Sequence, residues 1–477
     1  MKKLYLFILI SMIATSISAQ SRTAAKKLFD SGNFEEAKPM FAKLLKGNPK
    51  SGEYNYWYAA CCMETGDTVE VGEMLEYAVK RKVAAANRYL GDYLFGKMNF
   101  PRASECYDKY LEKLTDDSLR IVYSKKSVKA RNAARMVMNT RNICVVDSFV
   151  VDKDDFLSAY NIGEDAGVIA KSADYFDDEE LAGYVNETER GLDMFFSDFE
   201  HESEGALVKL YHNTKEGDEW GSARQLEGFD TYGNDNYPFM SPDGVTLYFA
   251  SDGDGSIGGY DIFMTRMDPE DGTFLRPDNI GMPFNSTAND YMFVINEVAG
   301  LGWFASDRNQ PEGSVCVYLF VQGEDASDKY DADVLGYDRM LQYALISSVA
   351  DTQTDAEVVR KARQQHAMLL YLKADEERQG DFLYVIDDTR DYTKVGDFKS
   401  DKARKMFTDW QARSKRFASD VEALEKQRDA YASAGKAEKP RMTQGILALE
   451  RKLETEQVEL ERMEMEIRRL EQQELYK

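Results

Sequence analysis

The sequence predicts a multidomain α plus β chain. A helical repeat array comes first, a strand-rich repeat array follows, and a helical region ends in an antiparallel hairpin. Three observations carry that reading. Apolar residues recur at three- and four-residue spacing from Thr23 to about Leu114, which is the helical period. From about residue 145 the pattern alternates, with Gly, Asp and Asn clusters between short apolar runs. Beyond residue 401 a helical seam returns and holds over about three to four heptads. The 477 residues exceed what one hydrophobic core supports and suggest roughly three folding units.

Composition narrows the function classes. Hydrophobic residues make up 43 % of the chain and aromatics 12 %, enough to build cores along most of it. There are 60 Lys and Arg against 84 Asp and Glu, a net charge of −24. That balance excludes nucleic acid as the expected partner, because displacing phosphate counterions needs a cationic surface. It also disfavours a polybasic membrane-surface mode. The three histidines, His201, His212 and His366, lack ligand-like spacing, so no metal site is expected. The five cysteines read as buried free thiols. Cys61 and Cys62 adjoin on one predicted helix, where a mutual bridge would be strained.

Residues 1–19 read as a secretory signal. Lys2 and Lys3 precede an apolar run from Leu4 to Ala14, and Ile17-Ser18-Ala19 offers a cleavage point before Gln20. An N-terminal anchor is the other reading, but the run is short for a membrane span. No later segment approaches about 18 uninterrupted apolar residues, so no transmembrane span is expected.

The first array, residues 20–141, repeats. Gly32-Asn33-Phe34-Glu35-Glu36-Ala37, with Phe41 and Pro49, is matched by Gly66-Asp67 one 34-residue step later. A third copy shows Asn99-Phe100, Ala103 and Tyr107, with Leu90-Gly91 upstream. Copy two has Val71 and Gly72 near the Ala position, and copy three has Met98 in place of Gly. Asp117 to Arg141 reads as a polar helix that caps the array. The period and the alternation of small and large residues resemble the tetratricopeptide repeat. That resemblance implies a concave face that binds peptides or proteins. Tyr54, Tyr56, Trp57 and Tyr58 fall on the helix that would face this groove. The same four rings also suit interhelix packing.

The central array, residues 142–325, carries a longer echo. Met194-Phe195-Phe196-Ser197-Asp198 recurs as Tyr248-Phe249-Ala250-Ser251-Asp252 and as Trp303-Phe304-Ala305-Ser306-Asp307. The serines lie 54 and then 55 residues apart. Asp235-Asn236-Tyr237 is matched by Asn289-Asp290-Tyr291, 54 apart. In the fullest copy, Ser241-Pro242-Asp243-Gly244 reads as a tight turn, and Gly258-Gly259-Tyr260-Asp261 opens the next strand. This copy resembles the WD40-like repeat of the Pro-Asp, TolB type, which implies β-propeller blades of four strands. A degenerate copy from Cys144 to Phe176 would bring the count to about four. Two motifs here are false signals. Gly253-x-Gly255-x-x-Gly258 leads into a strand and not a helix, so it cannot cradle a pyrophosphate. Asp252-Gly253-Asp254-Gly255-Ser256 continues with Ile257 and Phe263 where a calcium hand needs Gly and Glu.

Residues 326–400 read as a helical connector with a hairpin of Gly380 to Ile386 and Tyr392 to Val395 that could complete the propeller. Residues 401–477 read as a coiled-coil hairpin whose seam is Ile446, Leu449, Leu453, Leu460, Met463, Ile467 and Leu470, interrupted by Glu456. A parallel dimer with the second helix swung out is the alternative, so self-association is open. No HExxH, GxSxG or phosphate loop appears, and no catalytic residue or cofactor is expected. The order of modules resembles envelope proteins of Bacteroidetes-type bacteria, without the OmpA-like C-terminal domain that some of them carry. The missing chemistry and the repeat arrays point to an exported, non-catalytic scaffold, and the resemblance implies a place in the periplasm or at the outer membrane, in secretion or envelope assembly, with other envelope proteins as partners. A glycan- or peptide-binding propeller with helical oligomerisation modules is the alternative, and a propeller-based hydrolase or lyase is the third reading.

Overall fold

The computed structural model describes residues 21–475 apart from 68–69, 179–180, 182, 201–204, 218, 271, 324–327, 380–381, 383, 388–389 and 434–438. The signal read over 1–19 and His201 lie outside the described residues. The chain divides into two compact units, one ending at Leu369 and one beginning at Leu370. The helical array and the strand-rich array, read separately from sequence, thus share one unit.

Helices α1 (21–30), α2 (Phe34–Gly47), α3 (Gly52–Glu64), α4 (Val71–Lys80), α5 (Ala86–Gly96) and α6 (Phe100–Leu111) follow in order. From α2 onward each packs on the next. The first two turns are made by Gly32 at φ +77° and Gly66 at φ +76°. Met98 makes the third at φ +59°, where a Cβ costs about 1–2 kcal/mol. Ala37, Phe41, Ala103 and Tyr107 are buried between paired helices. A Cβ on Gly91 would sit 2.5 Å from the Tyr107 ring, so these helices meet closely only because that side chain is absent. Helix α7 (Asp117–Met138) caps the array, and its own N-terminus is closed by the Asp116 carboxylate accepting from Leu119 N at 2.9 Å.

The strand-rich region opens with β1 (Cys144–Asp152) and then β2 (Val168–Lys171), α8 (Ser172–Phe176), β3 (Tyr184–Glu187), β4 (Asp193–Phe199), β5 (Val208–Glu216), β6 (Glu219–Trp220) and β7 (Arg224–Gln225). It continues with β8 (Asp235–Met240), β9 (Thr246–Ser251), β10 (Asp261–Arg266), β11 (Asp278–Asn279), β12 (Asp290–Asn296), β13 (Leu301–Ser306) and β14 (Ser314–Val321). Three antiparallel sheets result. The first runs β2-β3-β4-β5-β6 with β7 beside β5, the second β8 to β11, and the third β12-β13-β14-β1. The degenerate fourth copy is therefore not a sheet of its own. Its first strand joins the third sheet through β14, and its last strand joins the first sheet through β3. Between them the chain makes two 3-10 turns that carry Phe156, Tyr160 and Ile162 into the core.

The repeat is cleaner in space than in sequence. Asp235 pairs with Ser251, and Asp290 with Ser306, each just before a bulge. Asn234 N and Nδ2 donate to the two Asp252 carboxylate oxygens at 2.7 and 2.9 Å. Asn289 makes the same fork to Asp307 at 2.7 and 2.8 Å. All four positions are thus offset by 55, so the 54-residue match of Asp235 with Asn289 is one residue out of register. The Asp243 carboxylate accepts from Val245 N, Thr246 N and Thr246 Oγ1 at 2.8, 2.8 and 2.7 Å, which locks the turn before β9. Gly259 N donates to Ala288 O at 2.9 Å, so the Gly258-Gly259 turn lies against the third sheet's entry.

Where the three sheets converge, Phe156 is ringed by Tyr184, Tyr237 and Tyr291 at 5.8, 6.2 and 6.2 Å between centroids. Tyr160 donates to Met292 O at 2.7 Å, and Asn296 Nδ2 donates to Ile162 O at 2.7 Å. Helices α9 (Ala332–Ala344), α10 (Val349–Thr352) and α11 (Ala356–Gln379) follow. Met340 and Ala344 of α9 share a core with Ala133 and Val137 of α7 and with Met282 of the strand region. Helix α10 covers the free edge of β1, with Val145 N donating to Thr352 Oγ1 at 3.0 Å.

The second unit holds β15 (Tyr384–Asp387) and β16 (Arg390–Tyr392), a two-stranded sheet by itself that does not extend the central sheets. It packs with α12 (Asp401–Ser433) and α13 (Lys439–Leu475) around Phe398, Phe407 and Ile467. The two long helices run antiparallel. Arg413 pairs with Glu456 at 2.8 Å and Arg428 with Glu450 at 2.8 Å, one index rising as the other falls. Of the predicted seam, Leu453, Leu460 and Ile467 are buried, and Ile446, Leu449, Met463 and Leu470 are half-buried. The gap at Glu456 is occupied by the Arg413 pair. Glu471 is fully buried and accepts from Tyr392 Oη, Lys399 N and Ser400 N at 2.8, 2.6 and 3.0 Å, which ties β16 and the start of α12 to the end of α13.

Two outcomes are expected. Phe156→Ala should lower the stability of the first unit by about 3–5 kcal/mol in a urea titration, because its ring fills the point of convergence. Burial first, then the nearby Asp290 charge, pushes the Asp261 carboxyl up to about 7. The folded state therefore holds this proton at a pH where the unfolded chain, near 3.8, has lost it. The Asp261 contribution falls as pH rises from about 4 to about 7. In thermal melts, the wild type should lose ground to Asp261→Asn between the acidic and neutral ends of that window.

Candidate protein-binding face of the helical array

The helix α5 sequence Arg88-Tyr89-Leu90-Gly91-Asp92 places Leu90 and Gly91 in the core, leaving Arg88 and Asp92 one turn apart beside it. Such an i, i+4 pair of opposite charge would ordinarily join. Here Asp92 is taken by α6 and α7. Its Oδ1 accepts from Tyr107 Oη at 2.8 Å and from Lys126 Nζ at 2.6 Å. Arg88 is left half-buried over the Tyr89 ring, with its guanidinium carbon 4.6 Å from the centroid. Its Nη2 donates to Tyr89 Oη at 3.0 Å, and its Nε is buried with no hydrogen-bond partner. No ion pair joins Arg88 to a carboxylate among the described residues.

The face around Arg88 is built from three helices of the array and the cap. Tyr89 Oη donates to Glu64 Oε1 of α3 at 2.7 Å. Burial first, then that bond, pushes the Tyr89 phenol up, so it stays protonated and keeps donating. Tyr56 of α3 lies between Phe29 of α1 and Tyr89, at 6.2 and 6.1 Å. At the α1 end Arg22 pairs with Glu53 at 2.7 Å. Arg22 and Lys126 are therefore neutralised, and Arg88 is not.

The four rings singled out in the sequence are placed as follows. Tyr56 and Trp57 are each 7 % exposed. Trp57 stacks on Phe41 of α2 at 5.3 Å, and the Arg22 guanidinium lies 5.3 Å from its ring. Tyr54 is half-buried 6.2 Å from Trp57, and Tyr58 is half-buried beside Cys62. All four contribute to helix packing. Arg88 was not singled out from sequence, where no motif marks it.

The other sequence-marked groups are committed. Ser251, Asp252, Asp261, Ser306 and Asp307 hold strands and turns together in the central region. His212 Nε2 lies 2.9 Å from Asp193 Oδ1 on the adjacent strand, and His366 is half-buried 6.0 Å from the Phe149 ring. All five cysteines are free thiols. Among the described residues, no three His, Cys, Asp or Glu side chains converge as metal ligands, and no helix is long and apolar enough to cross a membrane.

The tetratricopeptide-repeat family model matches residues 28–89. No curated protein matches the chain. Among solved structures, the type III secretion chaperone SycD of Yersinia enterocolitica, in complex with a peptide of the translocator YopD, is similar at 16 % identity over 24 % of this chain and 91 % of that one, with a TM-score of 0.21. The P58(IPK) TPR domain is similar at 19 % identity over 26 % and 34 %, with a TM-score of 0.24. The Sgt2 TPR domain of Aspergillus fumigatus is similar at 21 % identity over 25 % and 82 %, with a TM-score of 0.22. Residues 28–89 of the helical array therefore carry the tetratricopeptide repeat.

Proposed function

We propose that the chain is an exported, non-catalytic scaffold of the cell envelope, and that its helical array captures a partner protein through an acidic side chain or terminal carboxylate seated on Arg88. The observation that carries this is the half-buried Arg88 guanidinium over the Tyr89 ring, with its Nε left without a hydrogen-bond partner. A desolvated cation without a counter-charge is costly, and a partner carboxylate would satisfy it with charge-assisted hydrogen bonds. Export rests on the residues 1–19 pattern, and an envelope setting rests on the resemblance of the module order. The three sheets read as WD40-like blades in this account, and the antiparallel helical pair of the second unit as a coiled coil open to self-association. Phe156 fills the centre where a ligand channel would otherwise run, which weakens the alternatives of a glycan-binding or hydrolytic propeller.

Selection of short random peptides against the full chain tests the reading. Binders should be enriched in Asp, Glu or a free C-terminal carboxylate, and Arg88→Ala should weaken them by about tenfold or more. Binders indifferent both to carboxylates and to Arg88→Ala would contradict it.

A further inference from the structure

A second group of unpaired cations lies where the cap helix meets the strand region. A cavity of about 610 Å³ is lined by Arg135 and Asn139 of α7, by Arg141, by Ile280 and Met282 of the loop after β11, and by Lys329. That size suits a small molecule. The walls are fixed by backbone. Arg141 N donates to Met282 O at 3.0 Å, and Arg141 and Lys329 form an isolated antiparallel bridge. The cations are thus presented by rigid main chain and a helix end.

None of the three is in an ion pair with a carboxylate among the described residues. Lys329 Nζ donates to Asn139 Oδ1 at 3.2 Å, and Arg135 Nη2 donates to Asn132 Oδ1 at 3.3 Å, both neutral acceptors. The Arg141 guanidinium makes no side-chain hydrogen bond and lies 5.7 Å from the Phe284 ring centroid. Burial holds it below its usual value, opposed only by Tyr248. The nearest acid along the chain from Lys329 is Asp328, whose carboxylate accepts from Asn142 Nδ2 at 3.0 Å and does not line the cavity. In a chain of net charge −24, three cations that line one cavity with no ion pair among the described residues are out of keeping with the overall charge.

We propose that this cavity binds a small anion carrying at least two negative charges, of the phosphate or polycarboxylate class. Arg141 forms the floor, as a donor fork matched to planar or tetrahedral oxyanions. Arg135 and Lys329 supply the further positive charges of the lining. The site is independent of the Arg88 face and stands or falls without it.

Calorimetric titration of the full chain at low ionic strength, with inorganic pyrophosphate and separately with citrate, decides the matter. Saturable binding of either is expected. Pyrophosphate alone would mark a phosphate-type ligand, and citrate alone a carboxylate-type one. Arg135→Gln and Lys329→Gln alter exposed side chains and should keep the fold, checked by circular dichroism. Each should weaken binding by about tenfold. Arg224→Gln, an exposed cation on β7, should leave it unchanged. Absence of saturable heat with both anions, or equal weakening by Arg224→Gln, would overturn the assignment.

Discussion

The pairing of β1 with β14 is the contact on which the rest of the first unit depends. β1 is the first strand after the helical array, and β14 is the last strand of the repeats. Their ladder, from Cys144 with Val321 to Asp152 with Ser314, brings the entry and exit of the strand region side by side. Thr140 O then accepts from Tyr330 N at 3.3 Å, and Asn142 N donates to Asp328 O at 3.0 Å. The chain arrives on α7 and departs on α9, so those helices must pack on each other. The tetratricopeptide array is thereby fixed to the strand region by topology as well as by side chains. Without this ladder, β14 would present a bare edge and α10 would have nothing to cover.

Buried polar groups set the register around that ladder. Asp235, Asp261 and Asp290 are each nearly or fully buried at strand starts. Asp290 accepts from Ser286 N, Ser306 Oγ and Arg308 Nη2 at 2.6 Å each. Asp235 meets Thr231 Oγ1 at 2.6 Å and Lys209 Nζ at 3.5 Å. Asp261 takes Ile257 N, Gly258 N and Asn279 Nδ2. A slip of one residue would strand any of these carboxylates without donors. The same logic runs through the second unit, where Glu471 is held by three donors.

Much of this was legible in the sequence. The 34-residue helical period gave the array, and the Ser-Asp echo located three sheets. The antiparallel helical hairpin followed from its seam and the break before Pro440. What was not legible has physical causes. The segment from Cys144 resembles a weak fourth copy because its strands do belong to sheets, but strand pairing is non-local and the sequence does not say with which partner. The echo between Asp235 and Asn289 is one residue out of register because a 54-residue offset aligns Tyr237 with Tyr291 and Phe239 with Phe293, while the ladder pairs Asp235 and Asp290 with their serines at an offset of 55. Tyr56 and Trp57 have the spacing of a binding face and the burial of a core. Arg88 carries no sequence signal of its own, and only the fold shows Lys126 and Tyr107 taking Asp92, the acid one turn away.

The central claim is that the β1–β14 ladder joins the entry and exit of the strand region and makes residues 21–369 one cooperative body. Native-state hydrogen exchange of the β1 and β14 amides tests it most directly. The account predicts that both strands exchange only with the β12 and β13 amides, in one global opening. Exchange of β1 through a separate, lower-energy opening that leaves β12 to β14 protected would contradict it.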